Sequence, residues 1–334
     1  MRSGASSNMK VLIIGRGVVG TIYGWAWSQA AVDVTHVVRK QGLPLTQTLD
    51  LLDLRAGYPK HTRATYAPKT ITQVSPSDCF DLVIVATKHY QAAHAIQQYL
   101  PNTPGAVCLL FTANWDGSAE IDRLLPRSSV LCGYAEATGG VDAQGILVVT
   151  VNPSVRLGML EGSDPDKFKA VTEVFRAAGF TLDIKPNIIE WLWVHHAINA
   201  GMIGAALWAG GIAQATRSLK TLRLGLLASR EALRVVAARG VNLDRYPDAR
   251  SVLHTPAWLA WLTFSYQMRL TEKGRRLLRA SHFDNSQEEM KRFYFDVLST
   301  GESYGVAMLH LSVFRERVER FPSERQPNVG VEPP

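Results

Sequence analysis

A short apolar run that leads directly into spaced glycines constrains this chain more than any other feature of its sequence. Residues 11–14 read VLII and are followed by a GxGxxG spacing. This order predicts a buried strand, a tight turn and the start of a helix, where a dinucleotide pyrophosphate can approach the backbone. Glycines that only turn the chain are the weaker alternative, because the strand and helix signals flank them on both sides. The residues assigned to this loop are Gly15, Arg16, Gly17, Val18, Val19 and Gly20.

The second strand indicates which dinucleotide this loop binds. Proteins that bind NAD usually place an Asp or Glu at the carboxyl end of that strand, where it meets the ribose hydroxyls. Here the predicted strand 34–38 ends at Arg39 and Lys40, while Asp33 lies at its start. Two cations suit a 2′-phosphate, so the sequence predicts NADP(H). A solvated Arg-Lys pair is the alternative, and it explains Lys40 more readily than Arg39.

The remaining pattern predicts an α/β protein of two domains. Strands and helices alternate up to about residue 186, which indicates a Rossmann-type, doubly wound parallel sheet. Two of its strands are expected to flank a turn at Gly139 and Gly140. Beyond Pro186 the strand signals stop, and an all-helical domain is expected, with helices over 188–214, 216–239, 258–270 and 288–301. The predicted divisions are a disordered leader at 1–8, domains at 9–186 and 187–320, and a disordered tail at 321–334.

Composition narrows the classes of partner. The net charge of +7 comes without a basic block, which favours small anionic ligands over nucleic acid. Residues 197–215 carry no charge, yet they include four glycines and two polar amides, so a buried helix is expected and no membrane span. The N-terminus lacks a signal peptide's apolar core, and the three cysteines have no metal-binding spacing. A cytoplasmic protein without a metal site is predicted.

Polar residues follow the predicted strands at the positions where α/β proteins bind ligands. Lys88 comes directly after an apolar strand, with Gln91 one turn later, and Asn114 follows the next strand. The carboxyl ends of parallel strands meet at one edge of the sheet, so these side chains are expected to face the dinucleotide. In the helical half, His195 and Asn199 are four residues apart and therefore share one helix face.

The order of these motifs resembles the ketopantoate (2-dehydropantoate) reductase family over about residues 9–310. The resemblance implies a Rossmann domain followed by a helical domain, and reduction of a 2-oxo acid by NADPH with a protein side chain as proton donor. It implies that the glycine loop and Arg39 bind the cofactor, and that Lys88, with Gln91 one turn on, and Asn114 hold its nicotinamide side. It also implies that Asn199 binds substrate and that Glu289 orients the reacting groups.

Four departures from the family pattern bear on the substrate. His195 stands where the family has its catalytic lysine, and Ile203 stands where it has a second asparagine. Trp115 replaces the glycine after Asn114, and the family's substrate-binding serine has no clear counterpart. The candidates for that serine are Ser281 and Asn285. The apolar replacements predict a substrate that is bulkier or less polar than ketopantoate.

An imidazolium is a suitable general acid for a developing alkoxide, so His195 is the predicted proton donor. The alternative is that His195 packs within the helices while Lys88, or no side chain, supplies the proton. For the neighbouring His196 we expect packing only.

The function predicted from these observations is NADPH-dependent reduction of a small, anionic 2-oxo acid or related carbonyl. Two alternatives stay open: a reductase of imines or opine-type condensation products on the same fold, and a catalytically silent NADPH-binding sensor. A homodimer formed through the helical domain is also expected.

Overall fold

The structure is a computed structural model that describes residues 9–38, 46–112, 114–116, 119–279 and 286–321. It divides into two compact units, Met1–Leu192 and Trp193–Pro334. The predicted domain boundary after residue 186 lies close to this division. The predicted leader at 1–8, and the predicted tail beyond residue 321, lie outside the described residues.

The first unit is built on two β-sheets. Its described strands are β1 (Lys10–Ile14), β2 (Asp33–Val37), β3 (Gln47–Asp53), β4 (Lys60–Tyr66), β5 (Lys69–Ile71), β6 (Leu82–Val85), β7 (Val107–Leu110), β8 (Val130–Tyr134), β9 (Ala137–Val141), β10 (Leu147–Val151), β11 (Ser154–Met159) and β12 (Thr181–Ile184). Its helices are α1 (Val18–Gln29), α2 (Ala92–Tyr99), α3 (Ala119–Asp122) and α4 (Pro165–Ala177).

The larger sheet has the strand order of a dinucleotide-binding fold. In the described residues the order is β12-β11-β8-β7-β6-β1-β2-β5. Six neighbouring strands of this sheet are mutually parallel: β8, β7, β6, β1, β2 and β5. Strand β11 pairs with β8 in the antiparallel direction. Successive crossovers therefore leave β1 in opposite directions, which creates a switch point between β1 and β6 where such sheets bind ligands. The predicted α/β fold with a parallel Rossmann-type sheet is confirmed.

A second sheet, with strand order β4-β3-β10-β9, was not predicted. Helix α1 packs against strands of both sheets, and their side chains share one core. The predicted turn at Gly139 and Gly140 is wrong, because both glycines lie inside β9 opposite β10. A side chain at Gly139 would place its Cβ 2.3 Å from the Val148 carbonyl oxygen, so this glycine serves close strand pairing.

The second unit is helical, as predicted. It begins within α5 (Ile188–Ala209) and continues through α6 (Ile212–Ala215), α7 (Leu219–Ala238), α8 (Pro247–His254), α9 (Ala257–Leu270), α10 (Glu272–Arg279), α11 (Gln287–Ser303), α12 (Leu309–Ser312) and α13 (Arg315–Glu319). No helix in the described part of the chain is long and apolar enough to cross a membrane.

The helix predicted over 188–214 is interrupted. Gly210 and Gly211 have φ angles of +89° and +140°, which end α5 because a right-handed helix needs negative φ. Within α5, a Cβ at Gly201 would lie 2.3 Å from the Ser229 main-chain nitrogen. The small residues of this segment thus let α5 and α7 approach closely, as the sequence indicated.

Candidate active site

Two glycines of the loop after β1 are required by the protein's own packing. Gly15 has a φ of +112°, and a Cβ there would lie 2.5 Å from the Ala86 carbonyl oxygen, just beyond β6. A Cβ at Gly20 would lie 2.0 Å from the Gly15 carbonyl oxygen. The loop therefore turns tightly at the switch point, and the start of α1 packs closely against the end of β1.

Gly17 differs, because no atom of the described residues lies within 4 Å of the position that its Cβ would take. It is exposed and precedes the first turn of α1, which has no acidic residue and no side-chain cap. The N–H groups of a helix's first turn lack partners within the helix and attract anions. Nearby, the buried Thr87 hydroxyl has no hydrogen-bond partner among the described residues. An open glycine and an orphaned hydroxyl at one switch point fit a dinucleotide.

The end of β2 offers no carboxylate for a ribose. Asp33 lies at the opposite end of the strand, where its carboxylate binds the Lys69 ammonium at 2.6 Å. No acidic residue occurs between positions 34 and 49. The predicted 2′-phosphate ligands, Arg39 and Lys40, lie outside the described residues.

The predicted nicotinamide-side residues share one edge of the large sheet. Lys88 follows β6 and precedes a 3₁₀ turn in which the Gln91 N–H donates to the Lys88 carbonyl at 2.9 Å. Asn114 follows β7, the parallel neighbour of β6, so both side chains lie at the carboxyl edge with the glycine loop. Lys88 and Asn114 are half-buried. The Trp115 ring is only 2% exposed, so its predicted substrate contact rests on the sequence alone.

In the second unit, α5 brings His195 and Asn199 into contact. The Asn199 amide nitrogen lies 2.8 Å from the His195 Nε2 atom. An amide N–H donates, so in this arrangement the imidazole accepts at Nε2 and carries its proton on Nδ1. Both side chains are half-buried, as is Ile203 one turn beyond Asn199. A half-buried imidazole held by an amide suits proton transfer to a small molecule.

His196, the next residue on α5, points into the helical core. It is 1% exposed, its ring stacks on Phe293 at 4.1 Å, and its Nε2 atom lies 3.7 Å from an Asp296 carboxylate oxygen. Phe293 belongs to α11, and Glu289 lies one turn before it on the same helix face. Glu289 is therefore on the α11 face that packs against α5. Ser281 and Asn285 lie outside the described residues.

A buried polar pair that the sequence did not predict joins β2 to β4. His36 on β2 is fully buried, and its Nε2 atom lies 3.0 Å from the Tyr66 hydroxyl at the end of β4. Burial, and then the nearby Arg16 charge, lower the pKa of His36 to about 4. The sequence offered one sign of this pair, a single histidine at the apolar end of β2. Its partner, Tyr66, could not be predicted because it belongs to the second sheet.

We expect His36 to make the fold sensitive to acid. Its pKa is about 4 in the folded protein against 6.5 ordinarily, so the unfolded chain binds more protons between those values. The free energy of unfolding should therefore fall as the pH drops from 6.5 to 4, by about 3 kcal/mol from this residue. Urea unfolding at several pH values measures the slope. In His36→Gln the slope should be flatter in this window, and an unchanged slope would contradict the assignment.

Comparison with known proteins identifies the relatives of this chain. Residues 11–162 match the family model described as ketopantoate reductase PanE/ApbA. The 2-dehydropantoate 2-reductase of Pyrococcus abyssi is 23% identical over 250 residues, 72% of this chain and 77% of that protein.

Solved structures share the fold over most of its length. The 2-dehydropantoate 2-reductase of Geobacter metallireducens has a TM-score of 0.69 at 16% identity, covering 93% of this chain and 99% of that one. A ternary structure of D-mandelate dehydrogenase with NADH and anilino(oxo)acetate has a TM-score of 0.68 at 17% identity, covering 93% and 97%. The predicted resemblance is confirmed.

Proposed function

Since the chain is a ketopantoate reductase-like oxidoreductase, we propose that it reduces a small 2-oxo acid or related carbonyl with NADPH. The observation that carries the proposal is the open space at Gly17, on the sheet edge that also carries Lys88 and Asn114. No contact among the described residues requires a glycine at position 17. A bound pyrophosphate would require one, because its oxygens approach the backbone at this point of a Rossmann loop.

The reduced nicotinamide, when bound, supplies hydride to the carbonyl carbon of the substrate. Lys88 and Asn114 would hold the nicotinamide side, and the loop at residues 15–20 would hold the pyrophosphate. NADP(H) is favoured over NAD(H) because the chain between positions 34 and 49 has cations and no carboxylate. The D-mandelate dehydrogenase structure contains NADH, so the assay below compares NADPH with NADH as the cofactor of this chain.

His195 would supply the proton that converts the developing alkoxide into a hydroxyl group. Donation from Nε2 requires a protonated imidazole whose Nε2–H faces the alkoxide oxygen instead of the Asn199 amide. The Asn199 amide would then bind the substrate. Glu289, on the α11 face that packs against α5, would orient these groups.

The substrate we propose carries a branched or aromatic side chain. Ile203 lies on the same α5 face as His195 and Asn199, at intervals of four residues, and it replaces a polar family residue. An apolar side chain there favours an apolar group on the substrate. One structural neighbour is named for mandelate, a hydroxy acid with a phenyl group.

An NADPH-oxidation assay over 2-oxo acids with aliphatic, branched and aromatic side chains tests the function. We expect turnover with at least one branched or aromatic acid, and kcat/KM with NADPH at least about tenfold above that with NADH. Turnover that requires an added amine would instead indicate an imine or opine-type reductase. NADPH binding without turnover of any acid would support the sensor alternative, and preference for NADH would remove the NADP assignment.

The homodimer stays a prediction. Helix α9 carries a row of apolar side chains at intervals of four residues, and each is more than half exposed. The row consists of Trp258, Leu262, Tyr266 and Leu270. We propose this exposed apolar face of α9 as the place to look for a contact between two copies of the chain.

A further inference from the structure

We propose that Arg16 is a specificity residue that binds the 2′-phosphate of NADP(H) on the β2 side of the glycine loop. This inference rests on the proposed function, since it requires a bound dinucleotide. It adds a second source of positive charge to the one predicted at Arg39 and Lys40, and it comes from the loop itself.

The position of Arg16 follows from the geometry of its neighbours. It stands between Gly15 and Gly17, immediately after β1, and is half-buried. On the β6 side the loop is packed tightly at Gly15, where a Cβ would lie 2.5 Å from the Ala86 carbonyl oxygen. On the other side of β1 lies β2, whose carboxyl end is where a Rossmann fold places the adenosine ribose.

The Arg16 charge acts on the His36–Tyr66 pair, which joins β2 to the end of β4. Burial is the larger influence on both groups, lowering the pKa of His36 and raising that of Tyr66. The Arg16 charge adds to the first shift and opposes the second. Both effects agree with the strand pairing, which places the loop after β1 beside the carboxyl end of β2, within the reach of an arginine side chain at position 16.

The pair provides an uncharged support beside this cation. With a pKa of about 4, His36 is neutral at physiological pH, so it does not compete with Arg16 for a phosphate. Space for the pair depends on Gly24 of α1, where a Cβ would lie 2.4 Å from the Tyr66 hydroxyl and 2.5 Å from His36 Nε2. The pair is thus built into the contact between α1, β2 and β4.

The residue types in and after β2 suit a phosphate monoester. A ribose with free hydroxyls would be bound by a carboxylate, and positions 34–49 contain none. Asp33 is paired with Lys69 at the opposite end of β2. A guanidinium binds phosphate oxygens through two parallel N–H donors, which makes arginine effective in this role.

Titration calorimetry with two nucleotides, 2′,5′-ADP and ADP, tests the proposal without any turnover. These ligands differ in whether the ribose carries a 2′-phosphate. In Arg16→Gln we expect 2′,5′-ADP to bind about 10- to 100-fold more weakly, while ADP changes by less than about threefold. The matched control is Arg63→Gln, an exposed residue of β4 three positions before Tyr66, which should leave both affinities unchanged.

Each other outcome has a definite meaning. Equal losses for both nucleotides in Arg16→Gln would mean that Arg16 holds the pyrophosphate or the loop, and would overturn its role in specificity. A loss confined to Arg39→Gln, with Arg16→Gln unaffected, would overturn it as well. If the unmodified protein binds neither nucleotide, the proposed function itself fails. If it binds ADP and NADH but gains nothing from the 2′-phosphate, the NADP assignment and the role of Arg16 both fail, while the proposed reductase function stands.

Discussion

Replacing His195 with alanine is expected to lower kcat for 2-oxo acid reduction by about 10²- to 10⁴-fold, the usual contribution of a positioned general acid. NADPH affinity should change by less than about twofold, because the glycine loop and the sheet edge are untouched. The measurements are steady-state kinetics from pH 5 to 9 and NADPH binding by fluorescence. The control is His94→Ala, the same change at an exposed residue of α2, which should leave kcat unaltered.

A second variant separates a proton donor from a packing residue. His195→Lys restores the side chain that the resemblance places at this position, and an ammonium group keeps its proton to higher pH than an imidazole. Activity should therefore persist in this variant, with its alkaline limit moved upward. Unchanged activity of His195→Ala throughout pH 5 to 9 would exclude His195 as the acid. The same loss in His195→Ala and His195→Lys, with no shift in the pH profile, would indicate a structural role.

The second large effect is expected at Gly17. In Gly17→Ala the new methyl group enters space that no atom of the described residues occupies, so the free energy of unfolding should change by no more than about 1 kcal/mol. The same methyl group would lie where we propose that the pyrophosphate approaches the backbone, and we expect NADPH to bind about 10- to 100-fold more weakly. Thermal unfolding and calorimetric titration with NADPH measure the two quantities separately.

Gly20→Ala provides the matched comparison. Its Cβ would lie 2.0 Å from the Gly15 carbonyl oxygen, so the strain should lower the free energy of unfolding by about 1–3 kcal/mol. The two variants add the same atom to the same loop, and only the first should spare the fold. A Gly17→Ala protein that binds NADPH normally would remove the main observation behind the cofactor site.

Local patterns predicted the parts of the fold in which one stretch of chain determines its own structure. The buried strands β1, β6 and β7 read as uninterrupted apolar runs, and the glycine spacing indicated the turn and helix that follow β1. The helical half was recognisable from its periodicity, although the break at Gly210 and Gly211 was missed. Both glycines adopt positive φ, and the sequence around them is otherwise that of a helix.

Contacts between distant segments were much less predictable. The second sheet pairs β3 with β10, residues about 100 positions apart along the chain. Gly139 looks like a turn residue in isolation and serves strand pairing in the fold. The near-complete burial of the Trp115 ring likewise depends on the fold, and its predicted substrate contact stays a prediction.

For this protein, the sequence alone determined the α/β class, the glycine loop after β1 and the residue types at each candidate position, because these depend on spacing over a few residues. Tertiary structure decided which loop glycines serve packing and which leaves room for a ligand. That distinction depends on how close the backbone atoms of Ala86 and Gly15 come to each glycine in the fold. It also decided that His36 and Tyr66 form a buried pair near Arg16. Charge, burial and hydrogen bonding there arise only when β2, β4 and α1 come together.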